Sequence, residues 1–226
     1  MDLLLDQRVV LVLGGTGYVG SAIVDQLRAE RATVVVASRH PGSDGVLLDA
    51  RDPDSVDAAV GRLVERHGRI DGLVVAAAPS ALTLDPARSD DPAQVLDAID
   101  AKAMSFLRVA NAVTPHMRAA GFGRVVGISG QNAFQTGNVT GSLRNAAMIL
   151  AAKNIADSLS GTGVTVNAVN PGIVSDHPSP DVEIGRAGES SPQQIASLVT
   201  FLLSPLAVIS GESIAVGQRM RGVTYL

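Results

Sequence analysis

Short apolar runs, rich in β-branched residues, recur along this chain and leave room for a helix after most of them: "RVVLVLG" (8–14), "TVVVAS" (33–38), "GVLLD" (45–49), "GLVVAAA" (72–78), "RVVGIS" (124–129), "VTVNAVN" (164–170) and "ESIAVG" (212–217). Runs that are continuously apolar, rather than alternating, belong to strands covered on both faces. The intervening stretches near 18–30, 53–67, 93–119, 142–160 and 191–204 carry helical patterns. Strand–helix alternation of this kind specifies an α/β chain with a parallel sheet between two helical layers. A length of 226 residues suits one domain, 1–226, and no repeat or long linker divides it. The Pro-, Ser- and Gly-rich segment 175–192 is the expected mobile substrate loop.

Composition narrows the functions open to such a sheet. Aromatics make up only 3% of the chain, so the core must be aliphatic. A net charge of −4 without a basic block argues against a nucleic-acid surface. The chain has no cysteine, which rules out disulfides and thiolate catalysis and fits a cytoplasmic protein. No apolar run approaches the roughly 20 residues of a membrane helix, and "MDLLLDQRVVLVLGG" carries Asp2, Asp6 and Arg8 where a signal peptide would be apolar. No His, Asp and Glu cluster has metal-ligand spacing, so no metal is expected.

The first run opens into "GGTGYVG", with Gly14, Gly17 and Gly20 three apart between a strand and a helix. In that setting the first glycine permits a tight turn, the second lets the backbone approach a pyrophosphate, and the third lets helix and strand pack closely. The helix N-terminus then offers free N–H groups to phosphate. The second strand ends in Ser38 and Arg39 with no acid. An acid there would hold ribose hydroxyls, whereas an Arg can pair with a 2′-phosphate, so the residues lean to NADP(H).

Taken together, these segments resemble the short-chain dehydrogenase/reductase family over nearly the whole chain. The resemblance rests on "GGTGYVG", "LLDARDPDSVDAAV" (47–60), "IDGLVVAAAPS" (70–80), "GRVVGISG" (123–130), "VTVNAVNPGIV" (164–174) and "SPQQIASLVTFLLSPLAVISGESIAVGQ" (191–218). It implies a doubly wound Rossmann-type parallel sheet of about seven strands, with NADP(H) held at Gly14, Thr16, Gly17, Tyr18, Val19, Gly20, Ser38, Arg39, Asp49, Ala50, Ala76, Ala77, Pro171, Gly172 and Val174. It also implies a homodimer or homotetramer formed through the helices at 99–113 and 142–156, both apolar on more than one face.

The family's catalytic helix begins Tyr-x-x-x-Lys. Here "GSLRNAAMILAAKNIA" (141–156) sets Gly141 at the tyrosine position and Asn145 at the lysine position. The chain's tyrosines are Tyr18, on the glycine loop, and Tyr225, next to last. The family's Asn falls on Ala101, and Lys102 beside it is expected to point elsewhere because neighbours on a helix differ by about 100°. Ser129 aligns with the family's serine and is the first candidate for catalysis; His177, with Asp176 as its partner or a helix cap, is the second. Gln131 and Asn132 are candidates to bind a carbonyl or carboxylate, or else turn residues. Three readings stay open: an NADP(H)-dependent reductase with a non-standard proton donor acting on a small molecule; a non-redox dehydratase, cyclase or isomerase using the same pocket; and a non-catalytic binding protein or partner subunit.

Overall fold

A computed structural model describes residues 2–42, 45–77 and 83–222. Its main sheet has seven parallel strands: β1 (Val9–Leu13), β2 (Thr33–Ser38), β3 (Val46–Leu47), β4 (Gly72–Val75), β5 (Gly123–Ile128), β6 (Val164–Pro171) and β9 (Ser213–Val216). Their order across the sheet is β3-β2-β1-β4-β5-β6-β9. A second, two-stranded sheet pairs β7 (Ile173–Val174) with β8 (Glu189–Ser190). The helices are α1 (Tyr18–Ala29), α2 (Pro53–His67), α3 (Pro92–Ile99), α4 (Ser105–Ala119), α5 (Val139–Ser158) and α6 (Pro192–Leu203).

Every residue of β1 and β4 is buried, as continuously apolar strands require. Side chains alternate between faces. Leu11 and Leu13 therefore join the cluster that includes Val56 and Leu63 of α2, Phe106 and Val109 of α4, and Met148 of α5. Val10 and Val12 point the other way, toward Ile23 and Leu27 of α1 and Ile195, Val199 and Leu202 of α6. This is the doubly wound arrangement expected from the run pattern. The strand order reverses between β1 and β4, and the crevice opening there at the carboxyl ends is where such sheets bind ligands.

Local signals fix the helix ends. Asp52 caps α2 by accepting from Asp54 N, Pro53 opens it, and Gly68 ends it at φ 73°. Ser191 and Gln194 form a capping box on α6.

Three expectations need correction. The helix expected over 93–119 is broken: α3 and α4 are joined by a π-helical turn at Asp100–Met104. Asp100 anchors the junction, accepting from Arg51 and Arg108 at 2.8 and 2.6 Å. The strand expected over 45–49 is two residues long, and the one expected over 72–78 ends at Val75, with Ala78 outside the described residues. Within the 175–192 segment, β8 pairs with β7 and Glu189 accepts from Ser179 N at 3.0 Å.

Candidate functional site

The crevice at the reversal point is a cleft of ≈ 570 Å³, lined by Gly14, Thr16 and Gly17 from the glycine turn and by Ser38 and Arg39 from the end of β2. Asp49, Ala50, Ala76, Ala77 and Ala101 complete the part that bears on the argument. The turn can only be made of glycine. Gly14 adopts φ 82°, and a Cβ there would lie 2.6 Å from the Ala77 amide nitrogen. A Cβ on Gly20 would lie 2.0 Å from the Gly14 carbonyl oxygen. Gly17 is the N-cap of α1 and brings no side chain to that end, so the first-turn N–H groups face the cleft uncapped. Arg39 is exposed, and Ser38 accepts from His40 N at 3.2 Å. A larger hollow of ≈ 830 Å³ runs along β3 and α2, but it is an edge-strand groove without glycines converging on backbone donors.

Tyr18 and Val19 begin α1. The Tyr18 hydroxyl donates to the Asp176 carboxylate at 2.7 Å, tying the glycine loop to the 175–192 segment. That hydrogen bond is the main reason the phenol titrates above its usual range. Asp176 is therefore neither a helix cap nor the partner of His177. His177 is exposed, and among the described residues its ring forms no hydrogen bond; its backbone N donates to Ser175 Oγ. At the end of β6, Pro171 is buried, and Gly172 lets the chain pass Gly188, whose oxygen would lie 2.1 Å from a Cβ. Val174 follows on β7.

Ser129 sits just past β5, nearly buried, with its Oγ donating to the Asn145 carbonyl at 3.0 Å. Asn145 is buried against it, and its amide Nδ2 donates to the Gly141 carbonyl one turn back at 2.8 Å. Gly141 N donates to Asn138 Oδ1, the cap of α5. A Cβ on Gly141 would lie 3.0 Å from the Asn138 side chain, so the place beside Gly141 is occupied by the cap and is not open space. Gln131 is fully buried: its Nε2 donates to the Gln218 carbonyl and its Oε1 accepts from Met220 N, which makes it a clasp on the C-terminal segment and not a ligand group. Asn132 serves a turn through its backbone.

Lys102, expected to point elsewhere, instead reaches the end of β5. The π-helical turn aims Ala101 at the cleft and Lys102 at the serine: Nζ donates to the Ser129 carbonyl at 3.1 Å. Burial, and then the nearby Arg144 guanidinium, push the ammonium down to about 7. Arg144 is itself 6% exposed, and burial lowers its pKa too. The available signal was compositional: the chain has two lysines, and this one stands in the small, apolar run "DAKAMSF". Among the described residues no group of His, Asp and Glu is placed to hold a metal, and no helix is long and apolar enough to cross a membrane.

Known proteins share this architecture and sequence. A family model described as enoyl-(acyl carrier protein) reductase matches residues 19–218. The 3-oxoacyl-(acyl-carrier-protein) reductase MabA of Mycobacterium tuberculosis is 30% identical over 236 residues, covering 94% of this chain and 92% of that one. The corresponding enzyme FabG of Vibrio harveyi is 28% identical over 251 residues, with 96% and 98% covered. Among solved structures, gox2181 superposes with a TM-score of 0.80 at 23% identity, covering 95% of this chain and 96% of that one. ElxO with NADP bound gives 0.79 at 19% identity, covering 93% and 97%. A family match over most of the chain, joined to a seven-stranded doubly wound sheet with a glycine turn at its reversal point, places the chain in the short-chain dehydrogenase/reductase family.

Proposed function

We propose that this chain is an NADP(H)-binding reductase that acts on a small molecule without the family's tyrosine as proton donor. The observation that carries the reading is the cleft itself, where a glycine turn that tolerates no Cβ and an uncapped helix N-terminus face Arg39 at the end of β2. These residues suit a dinucleotide diphosphate and a 2′-phosphate. When bound, NADPH would supply a hydride, one proton with two electrons, to an acceptor carbon.

The chain's own residues hold the nucleotide, shape the pocket and provide polar groups at the end of β5. Gly14, Gly17 and the first turn of α1 receive the phosphates. Arg39 selects the 2′-phosphate. Tyr18 ties the segment that follows the Pro171–Gly172 turn to the glycine loop through Asp176. Ser129 must exchange its bond to the Asn145 carbonyl for one to a substrate oxygen before it can orient that oxygen. His177, on the exposed segment, is the second candidate to carry a proton. MabA and FabG are named as 3-oxoacyl reductases. A carbonyl or an activated C=C or C=N bond is accordingly the acceptor class, with the activated alkenes and imines favoured because they demand least of an acid.

A second reading is favoured by α5. Gly141 and Asn145 stand where Tyr and Lys would act, and the Asn145 amide is spent on its own helix. A non-redox enzyme, or a non-catalytic binding protein or partner subunit, would need neither side chain. Cytoplasmic location, suggested by the lack of cysteine, belongs to both readings.

Titration with both cofactors tests the first reading. NADPH is expected to bind roughly tenfold or more tightly than NADH, the worth of one charge-assisted phosphate contact. Arg39→Ala should erase that preference while leaving NADH binding in place. Equal affinities in the parent protein would remove the basis for NADP(H).

Assembly into a homodimer or homotetramer is part of the same proposal. Leu143 and Leu150, seven apart on α5, are 45% and 60% exposed, an apolar stripe that a monomer leaves in water. Light scattering should give at least twice the monomer mass at micromolar concentration, and Leu150→Glu should lower it. A monomeric parent would overturn the proposed assembly.

A further inference from the structure

Beside the cleft lies a smaller pocket of ≈ 320 Å³, between α3 and the start of α5. Thr83 lines both, so the two spaces adjoin there. The outer wall of the pocket is held in place. Gln94 of α3 donates to the carbonyls of Asp85 and Arg88 at 3.1 and 2.8 Å and accepts from Asp85 N at 3.0 Å. Thr140 of α5, fully buried, donates through its hydroxyl to the Ser89 carbonyl at 2.7 Å and through its backbone N at 2.8 Å. The stretch from Asp85 to Ser89 is thereby pinned to both helices, and a wall already fixed costs a ligand little to order.

The lining states what such a pocket can hold. Leu84, Ala93 and Ala98 give it an apolar side. Its charged residues are Arg88, Asp97 and Arg144, two cations against one carboxylate. Arg88 and Asp97 stand at the exposed rim, where Asp91 holds the first at 2.6 and 2.9 Å and Arg51 holds the second at 2.6 Å. Arg144 lies deeper, 6% exposed, among the small and apolar residues of "SLRNAAMILAA". A guanidinium stays charged at any working pH, and burial acts against that charge. The buried Lys102 ammonium is near enough for Arg144 to help push it down. Two cations in one nearly dry region make the potential there positive, and Arg144 brings that potential to the pocket wall. A planar guanidinium meets a carboxylate through two parallel N–H···O bonds, which a low dielectric strengthens. A phosphate monoester would carry a second negative charge toward Asp97, in a space at the small end for ligand pockets.

We propose that this pocket takes the carboxylate of the substrate: Arg144 binds a small monoanionic acid whose short apolar chain lies against Leu84, Ala93 and Ala98. The substrate class is then an aliphatic carboxylate, with its acceptor bond toward the cleft at Thr83. As a statement about the substrate this rests on the reductase reading, and the test measures binding without turnover so that the two can fail separately.

Crotonate, a carboxylate with an activated C=C bond, is the probe, and crotonamide is its uncharged isostere. The parent should bind crotonate about tenfold or more tightly than crotonamide, the worth of one charge-assisted pair. Arg144→Met should bring acid and amide to the same affinity, and Arg144→Lys should keep part of the difference. In protein labelled with 15N-arginine, the Arg144 Nε–H resonance, identified by its absence from Arg144→Lys, should shift with crotonate and not with crotonamide. Because 2′,5′-ADP fits the Arg39 end of the cleft, it should leave crotonate affinity within about twofold. Equal affinities for acid and amide in the parent overturn the proposal, whether or not Arg144→Met folds. Crotonate binding by Arg144→Met at the parent's strength overturns it too, as does displacement of crotonate by 2′,5′-ADP, which would put the anion in the nucleotide cleft. Crotonate held through Arg144 by a protein that binds no NADPH supports the site and overturns the reductase reading. NADPH binding without crotonate binding overturns the proposal alone.

Discussion

Gly20→Ala should cripple the protein, although it adds one methyl group to a residue at the start of a helix, where alanine is ordinarily preferred. The added Cβ would fall 2.0 Å from the Gly14 carbonyl oxygen and 3.0 Å from the Gly15 Cα. Neither atom can turn aside as a side chain would, because Gly14 is fixed by its hydrogen bond to the Ala37 carbonyl and by its own close approach to Ala77. Relief requires α1 to move away from β1. Overpacking of that kind costs about 3 kcal/mol or more, and for a domain of this size it lowers the melting temperature by roughly 6–12 °C. Nucleotide binding should fall below detection, since the same shift withdraws the α1 N-terminus from the phosphates. Gly61→Ala is the control. It lies inside α2 with nothing within 4 Å of its added Cβ. It should stabilise the protein by roughly 0.5–1 kcal/mol, because glycine is the poorer residue in a helix interior. If Gly20→Ala and Gly61→Ala both melt within about 2 °C of the parent, the turn is not as closely packed as described.

The sheet was legible in the sequence because its signal is redundant. Seven apolar runs, the capping residues of α2 and α6 and the glycine spacing all point to one architecture, and a misread boundary changes none of it. That a cleft opens at the strand ends beside the glycine turn was legible for the same reason: Gly14, Gly17 and Arg39 sit at strand ends, where topology alone decides what faces the crevice.

The floor of the site was not. Whether Lys102 points at Ser129 or away depends on a π-helical turn, and no residue type in "DAKAMSF" announces one. A strictly α-helical register assigns each residue a direction about 100° from the last, and one widened turn redirects the residues that follow it. The place beside Gly141 is a second such detail. A missing side chain reads as space in a sequence, but the Asn138 cap folds over it and fills it. Gln131 has the composition of a ligand group, and its role as a clasp depends on partners some 85 residues away in the chain.

Chemistry at α5 follows from those details. Gly141 offers no proton, and the Asn145 amide is committed to its own helix. A positioned general acid contributes about 10²–10⁴-fold to such a reaction. Installing one is also obstructed: Gly141→Tyr displaces the Asn138 cap, whose loss costs about 1 kcal/mol, so Gly141→Tyr with Asn145→Lys should recover little activity unless Asn138 is replaced as well.

The decisive measurement is the NADPH-dependent reduction rate on a panel of simple ketones and activated alkenes. It should be made on the parent protein and Ser129→Ala, beside a relative that keeps the Tyr-x-x-x-Lys pair. Ketones should turn over at least about 10²-fold more slowly than with the relative, activated alkenes should suffer less, and Ser129→Ala should lower whatever rate remains. Ketone reduction by the parent at the relative's rate, unaffected by Ser129→Ala, would show that the proton comes from elsewhere and that the active site has been misplaced.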